Sequence, residues 1–186
     1  MKVVAFGASS SKQSINQQLA IWAAMQSNAD VVEIDLNDFE MPIFSVDRER
    51  EGIPPKAKKF KSILNDADGI IISFAEHNGS YSAAFKNIFD WMSRVEKPIW
   101  SNKPMFLMAT SPGARGGINV LNSASASFPH QGAQVAAIFS LPSFSQHFNK
   151  LSGITDKTMN DNFNRELNKF NKLLVETATK KTTSSV

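Results

Sequence analysis

Lys2-Val3-Val4-Ala5-Phe6-Gly7-Ala8-Ser9-Ser10-Ser11-Lys12-Gln13-Ser14-Ile15-Asn16 passes from an apolar run, through a hydroxyl-rich loop, into a helical pattern. A strand, a turn and a helix start in that order are the parts of a phosphate site. Small residues let the backbone approach an anion, and the next helix turns its unpaired N–H groups and the positive end of its dipole to the same point. Ser9, Ser11, Ser14 and Asn16 can add side-chain donors. Two common nucleotide fingerprints, GxxxxGK[ST] and GxGxxG, are excluded, because after Gly7 no glycine follows until Gly52. What remains is a site for the phosphate of some other small ligand. A polar turn with a Ser N-cap and no ligand explains the segment equally well.

Working outward, apolar runs recur at 2–7, 30–36, 68–74, 104–110 and 133–141. Most are nearly continuous, as parallel strands covered on both faces should be. Helical patterns lie between them: Ile15, Leu19, Trp22 and Ala23 share one face, Ala57, Phe60, Ile63 and Leu64 a second, and Phe85, Ile88, Phe89 and Met92 a third. A weaker pattern spans Gly116 to Phe128, and a closing helix carries Met159, Phe163, Leu167, Phe170 and Leu174. Five strands alternating with helices predict an open, doubly wound α/β sheet with right-handed crossovers. One domain over residues 1–178 is expected, with 179–186 as a loose tail lacking apolar periodicity.

The chain has 186 residues, room for one sizeable core, and its 42% hydrophobic and 20% charged residues are those of a globular protein. A net charge of +3 is mildly basic, and the densest cluster, Lys56, Lys58, Lys59 and Lys61, reads as a solvated helix face. With no basic stripe carrying interleaved aromatics, nucleic-acid binding is not expected. There is no cysteine, so disulfides and thiolate chemistry are excluded, and His77, His130 and His147 are too scattered for a metal set. No apolar run approaches the roughly 18 residues of a membrane span and no leader pattern opens the chain, so a cytoplasmic protein is the expectation.

In a doubly wound sheet, ligands bind beyond the carboxyl ends of the strands, where the strand order reverses. The segments following the third and fourth strands therefore belong with the first loop. Ala75-Glu76-His77-Asn78-Gly79-Ser80-Tyr81-Ser82 offers donors and acceptors around a glycine; Ser111-Pro112-Gly113-Ala114-Arg115-Gly116-Gly117 offers a backbone able to lie against a flat ring. Each alone is more often a simple turn. Together they fit a mononucleotide whose planar base crosses the strand ends, as the order 2-1-3-4-5 would place it.

Three ordered motifs make the chain resemble the NAD(P)H-dependent FMN reductases, flavodoxin-like proteins that include quinone, azo-dye and chromate reductases. GSxRxxSxN is similar to Ala8 through Asn16, PEYNGSxPGxLKNxxDWxSR to Ala75 through Arg94, and KPxxxxxxSPGxxGG to Lys103 through Gly117. The resemblance implies a flavodoxin-like five-stranded parallel sheet, bound FMN, and NADPH or NADH as co-substrate. It assigns Ser9, Ser11, Ser14, Ile15 and Asn16 to the phosphate side of the cofactor. It assigns Glu76, His77, Asn78, Gly79, Ser80 and Tyr81 to the ribityl chain and ring, and Ser111, Pro112, Gly113, Gly116 and Gly117 to the other ring edge. No catalytic acid or base is implied. A small-molecule electron acceptor follows, together with a homodimer or homotetramer for which Trp91, Trp100 and Arg94 are candidate contacts.

The departures from the motifs are specific. Ser11 stands where the family has Arg, which leaves phosphate to hydroxyls, N–H groups and the helix dipole, with Lys12 nearby. His77 stands for Tyr, and Ser82-Ala83 for Pro-Gly. Two rivals stay open on sequence: a flavodoxin-type carrier without nicotinamide activity, and an interaction domain that has lost the cofactor. The basic charge argues against the carrier.

Overall fold

The computed structural model describes residues 1–183. Along it run β1 (Lys2–Ala8), α1 (Ile15–Met25), β2 (Asp30–Glu33), α2 (Val46–Glu51), α3 (Pro55–Asp66), β3 (Gly69–Phe74), the short strands β4 (Glu76–His77) and β5 (Ser80–Tyr81), and α4 (Ala83–Val95). Then follow β6 (Lys103–Thr110), α5 (Ile118–Ser127), β7 (Ala133–Leu141), α6 (Phe144–His147), the short strands β8 (Phe148–Asn149) and β9 (Gly153–Ile154), and α7 (Lys157–Thr183). The long strands pair in parallel in the order β2-β1-β3-β6-β7, which is the expected 2-1-3-4-5.

β3 and β6 are buried along their whole length, which is why their sequences carry almost no polar residue. Alternate side chains divide between two cores. Val4, Phe6, Ile70, Ile72, Met105 and Leu107 meet α3, α4 and α5 on one face. Val3, Ala5, Ile71, Phe106 and Met108 meet α1 and α7 on the other. Short β-to-α turns then leave the carboxyl ends of β1, β3 and β6 side by side at one edge.

Four expectations are corrected. β2 stops at Glu33 because Asp35 accepts from Asn37 N at 2.9 Å and caps a 3₁₀ turn over Leu36–Phe39. Lys61 is not on a solvated face: its side chain is 1% exposed, and Nζ donates to the Pro98 and Ile99 carbonyls (3.0 and 2.8 Å) and to Ser101 Oγ (2.5 Å). Burial lowers its pKa below the ordinary lysine value, opposed in part by Glu96. Trp91 and Trp100 are 1% and 0% exposed, so they pack inside the chain and offer no subunit contact. Finally, α7 runs through Thr183, across most of the expected tail. No Gly or Pro interrupts residues 175–183, and Thr179 Oγ1 donates back to Val175 O at 2.9 Å. Residues 184–186 lie outside the described residues.

The motif on α4 acts as a clamp. Asn87 Oδ1 accepts from Phe44 N at 2.8 Å, Asn87 Nδ2 donates to the Met41 and Pro42 carbonyls, and Trp91 Nε1 donates to Pro42 O at 2.7 Å. Arg94 Nε reaches Glu49 on α2 at 2.7 Å. These side chains pin the excursion after β2 to the sheet. Removing the Asn87 bonds, worth about 1–2 kcal/mol together, is expected to free that segment more than it weakens the fold. Trypsin should cut Asn87→Ala after Arg48 and Arg50 several-fold faster than wild type; equal cleavage rates would count against the clamp.

Candidate functional site

The site begins at Gly7. A Cβ there would stand 2.3 Å from Gln17 N and 2.7 Å from Asn16 C, so only glycine lets the first turn of α1 rest on the end of β1. Gly7 N donates to Gln17 Oε1 at 2.6 Å, and Gln17 Nε2 donates to Glu33 Oε1 and Ile34 O. This glutamine fixes the start of α1 against two strands.

The hydroxyls of the loop share one arrangement. Ser9 Oγ accepts from Ser11 N (3.2 Å), Ser11 Oγ from Gln13 N (3.3 Å), and Ser14 Oγ from Gln17 N (3.1 Å) as the N-cap of α1. Each acceptor role uses a lone pair and leaves the O–H proton to donate elsewhere. The N–H groups of Ile15 and Asn16 belong to a first turn with no intrahelical acceptor. The loop is thus a cluster of donors.

Asn16 has a different task from the one its position suggests. Its side chain is buried: Oδ1 accepts from Ser73 Oγ (2.7 Å) and Thr110 N (3.0 Å), and Nδ2 donates to Thr110 O (3.1 Å). It ties α1 to β3 and β6. Only its backbone N–H remains for a phosphate.

Beyond β3, Asn78 (φ 52°) and Gly79 (φ 76°) close a two-residue hairpin that pairs Glu76 with Tyr81 and His77 with Ser80. Glu76 Oε2 accepts from Val120 N at 3.0 Å and Oε1 from Asn119 Nδ2 at 3.3 Å, so its carboxylate caps α5. Tyr81 turns into the core, with ring centroids 5.3 to 5.7 Å from Phe85 and Phe74. Burial raises its phenol pKa, opposed by the hydroxyls of Ser127 and Ser123. Ser82 Oγ donates to Ala8 O at 2.8 Å and caps α4 by accepting from Phe85 N. Beyond β6, a Cβ on Gly116 would stand 2.3 Å from Ser140 Oγ and one on Gly117 2.9 Å from Ala109 Cβ. Both glycines dock α5 onto the strand ends.

The three loops meet around a cavity of about 270 Å³ lined by Ser9, Ser11, Gln13, Ser14, Ile15, Asn16, Ala75, Glu76, His77, Thr110, Ser111 and Pro112. Asn78, Gly79, Ser80, Tyr81, Gly113, Gly116 and Gly117 do not line it. Gln13, Ala75 and Thr110 are wall residues that the motif reading did not assign to the site. The signal for Thr110 was a hydroxyl ending an apolar strand.

The family model described as NADPH-dependent FMN reductase matches residues 1–146. The chain belongs to this family. It is 29% identical over 127 residues to an NADPH azoreductase of a Bacillus species, covering 68% of each chain. It is 34% identical over 118 residues to a 2-hydroxy-1,4-benzoquinone reductase of a Burkholderia species, covering 62% of this chain and 63% of that one. Among solved structures, the flavoenzyme NAD(P)H:(acceptor) oxidoreductase of Paracoccus denitrificans superposes with a TM-score of 0.74 at 20% identity, over 94% of this chain and 97% of that one. That likeness establishes the flavodoxin-like fold.

As a member of the NADPH-dependent FMN reductase family, the chain has FMN as its cofactor and NAD(P)H as its reductant. The cavity fits that assignment. Its loop donors suit a phosphate, and the single carboxylate on its wall, Glu76, is already engaged by Val120 N and Asn119 Nδ2. In this family member the absent Arg at Ser11 leaves hydroxyl and N–H donors in place. The lysine of the third motif, Lys103, is structural: Nζ donates to the Asn65 and Ala67 carbonyls at the end of α3.

Proposed function

We propose that this chain takes hydride from NADPH or NADH onto FMN and hands the electrons to a small acceptor of the quinone, flavin or azo class, as a homodimer or homotetramer in the cytoplasm. The observation that carries the reading is the meeting of three loops, after β1, β3 and β6, around one donor-rich cavity. Bound FMN supplies the redox chemistry. The residues bind and orient. Ser9, Ser11 and Ser14, with the N–H groups of Ile15 and Asn16, hold the phosphate. Glu76 and His77 on one side and Ser111 and Pro112 on the other flank the ribityl chain and the near edge of the ring. Asn78, Gly79, Ser80 and Gly113 are assigned to the outer ring. Tyr81, Gly116 and Gly117 support these loops from behind.

The described residues include no helix long and apolar enough to cross a membrane. By their names, the two relatives act on azo compounds and on a hydroxybenzoquinone, both small-molecule acceptors.

Anaerobic stopped-flow mixing tests the reading. NADPH or NADH should bleach the flavin absorbance of the purified protein, and a quinone should restore it. A flavin that stays oxidised for minutes in excess of both nicotinamides, yet accepts electrons from a protein donor, would make this a carrier. Light scattering on the same sample should give a mass of two or four chains.

A further inference from the structure

Beside the phosphate loop lies a second cavity, of about 400 Å³, walled by that loop, the 3₁₀ turn after β2 and the first turns of α4. Its volume falls in the range of small-molecule sites, roughly 300–1,000 Å³. It shares no lining residue with the cofactor cavity: Ser10 lines this one, whereas Ser9 and Ser11 line the other. Both can therefore be filled at once.

The cavity is preformed. Leu36, Phe39 and Ile88 are buried in the core and give it an apolar floor. Asp35 holds one end of the wall through Asn37 N, and Asn87 holds the other through the Met41 and Pro42 carbonyls and Phe44 N. Ala83 and Ala84, with their short side chains, leave the space beside α4 unfilled.

The polar groups offered to a ligand are mainly acceptors. Glu40 lines the cavity, is exposed, and has no ion-pair partner among the described residues. Bordering cations are turned elsewhere, Arg48 Nη1 to Ile43 O at 2.8 Å and Lys86 Nζ to Asp90 at 2.7 Å. Asn37 Nδ2 is spent on Asp35 Oδ1 at 2.8 Å, which leaves its Oδ1 to accept. Lys59 already stands over the Phe39 ring, 6.0 Å from its centroid, so a ligand's positive charge belongs at Glu40 and not on that ring.

We propose that this cavity binds a flat aromatic amine, its ring on the floor of Leu36, Phe39 and Ile88 and its ammonium against Glu40. The site is separate from the flavin site and does not depend on the reductase reading. Ring burial supplies the affinity; the exposed carboxylate supplies a moderate, salt-screened choice of charge.

The test titrates the FMN-loaded protein calorimetrically with tryptamine and with indole-3-propionate, which set the same ring beside opposite charges. Wild type should bind tryptamine about fivefold more tightly at low salt, and the preference should shrink at high salt. Glu40→Gln should bring the two probes within about twofold of each other. Ala84→Phe, which fills the cavity, should weaken both about tenfold or more. Neither residue lines the cofactor cavity, so flavin absorbance and melting temperature should match wild type in both variants. Equal binding of the two probes to wild type, or binding of neither, would overturn the proposal. So would tryptamine binding that ignores both substitutions, which would place the amine on the flavin instead. If Ala84→Phe fails to fold, the comparison of wild type with Glu40→Gln decides alone.

Discussion

Asn16→Ala is expected to lower the melting temperature of the apo protein by roughly 6–12 °C, at about 2–4 °C per kcal/mol for a chain of this size. The wild-type side chain is 3% exposed and satisfies Ser73 Oγ, Thr110 N and Thr110 O at once. Alanine would leave all three buried groups without that partner. Each orphaned group costs about 1–3 kcal/mol, so about 3 kcal/mol in all is the lower expectation. Its backbone N–H survives the substitution, so FMN affinity should fall less than it does when a loop hydroxyl is removed. Differential scanning calorimetry decides between brace and ligand. A loss under 2 °C with a large fall in FMN affinity would return Asn16 to the phosphate site.

That residue marks the boundary of what the sequence makes legible. β3 and β6 could be read because burial on both faces leaves its mark on every neighbouring position, Ile70 to Phe74 and Met105 to Ala109. The closing helix could be read for the same local reason, from Phe163, Leu167, Phe170 and Leu174. Asn16 could not, because its partners are 57 and 94 positions away and nothing near it shows the demand. Lys61 was readable in principle. It follows Ala57 by four positions and precedes Leu64 by three, which is the buried face of α3, and the weight given to charge hid that periodicity.

The site divides along the same line. Its place at the sheet edge follows from strand order, and Ser9, Ser11, Ser14, Ser111 and Pro112 do line the cavity. The glycines of the third loop show the limit: a glycine string suits a flat ligand or a tight docking equally, and at Gly116 and Gly117 the close neighbours are Ser140 and Ala109. Likewise Glu76 offers a carboxylate to any nearby donor. The helix start at Val120 claims it, through a contact 44 positions distant.

Ser14→Asp is expected to weaken FMN binding about 100-fold or more while leaving the apo fold as stable as wild type. Ser14 does two things, capping α1 by accepting from Gln17 N and keeping its O–H proton for the cavity it lines. Aspartate is as good an N-cap as serine, and its charge suits a helix start. It cannot donate, and it sets a negative charge against a phosphate. The lost hydroxyl bond to a charged group is worth roughly 1.5–3 kcal/mol, or about 10- to 150-fold in dissociation constant, before repulsion is added. Ser14→Ala separates the contributions. It also loses the donor, without the repulsion, and it forfeits about 1 kcal/mol of capping. Riboflavin, which lacks the phosphate, should bind wild type and Ser14→Asp about equally in isothermal titration. If Ser14→Asp held FMN as tightly as wild type, Ser14 would be a helix cap alone, and the phosphate would have to be sought outside this loop.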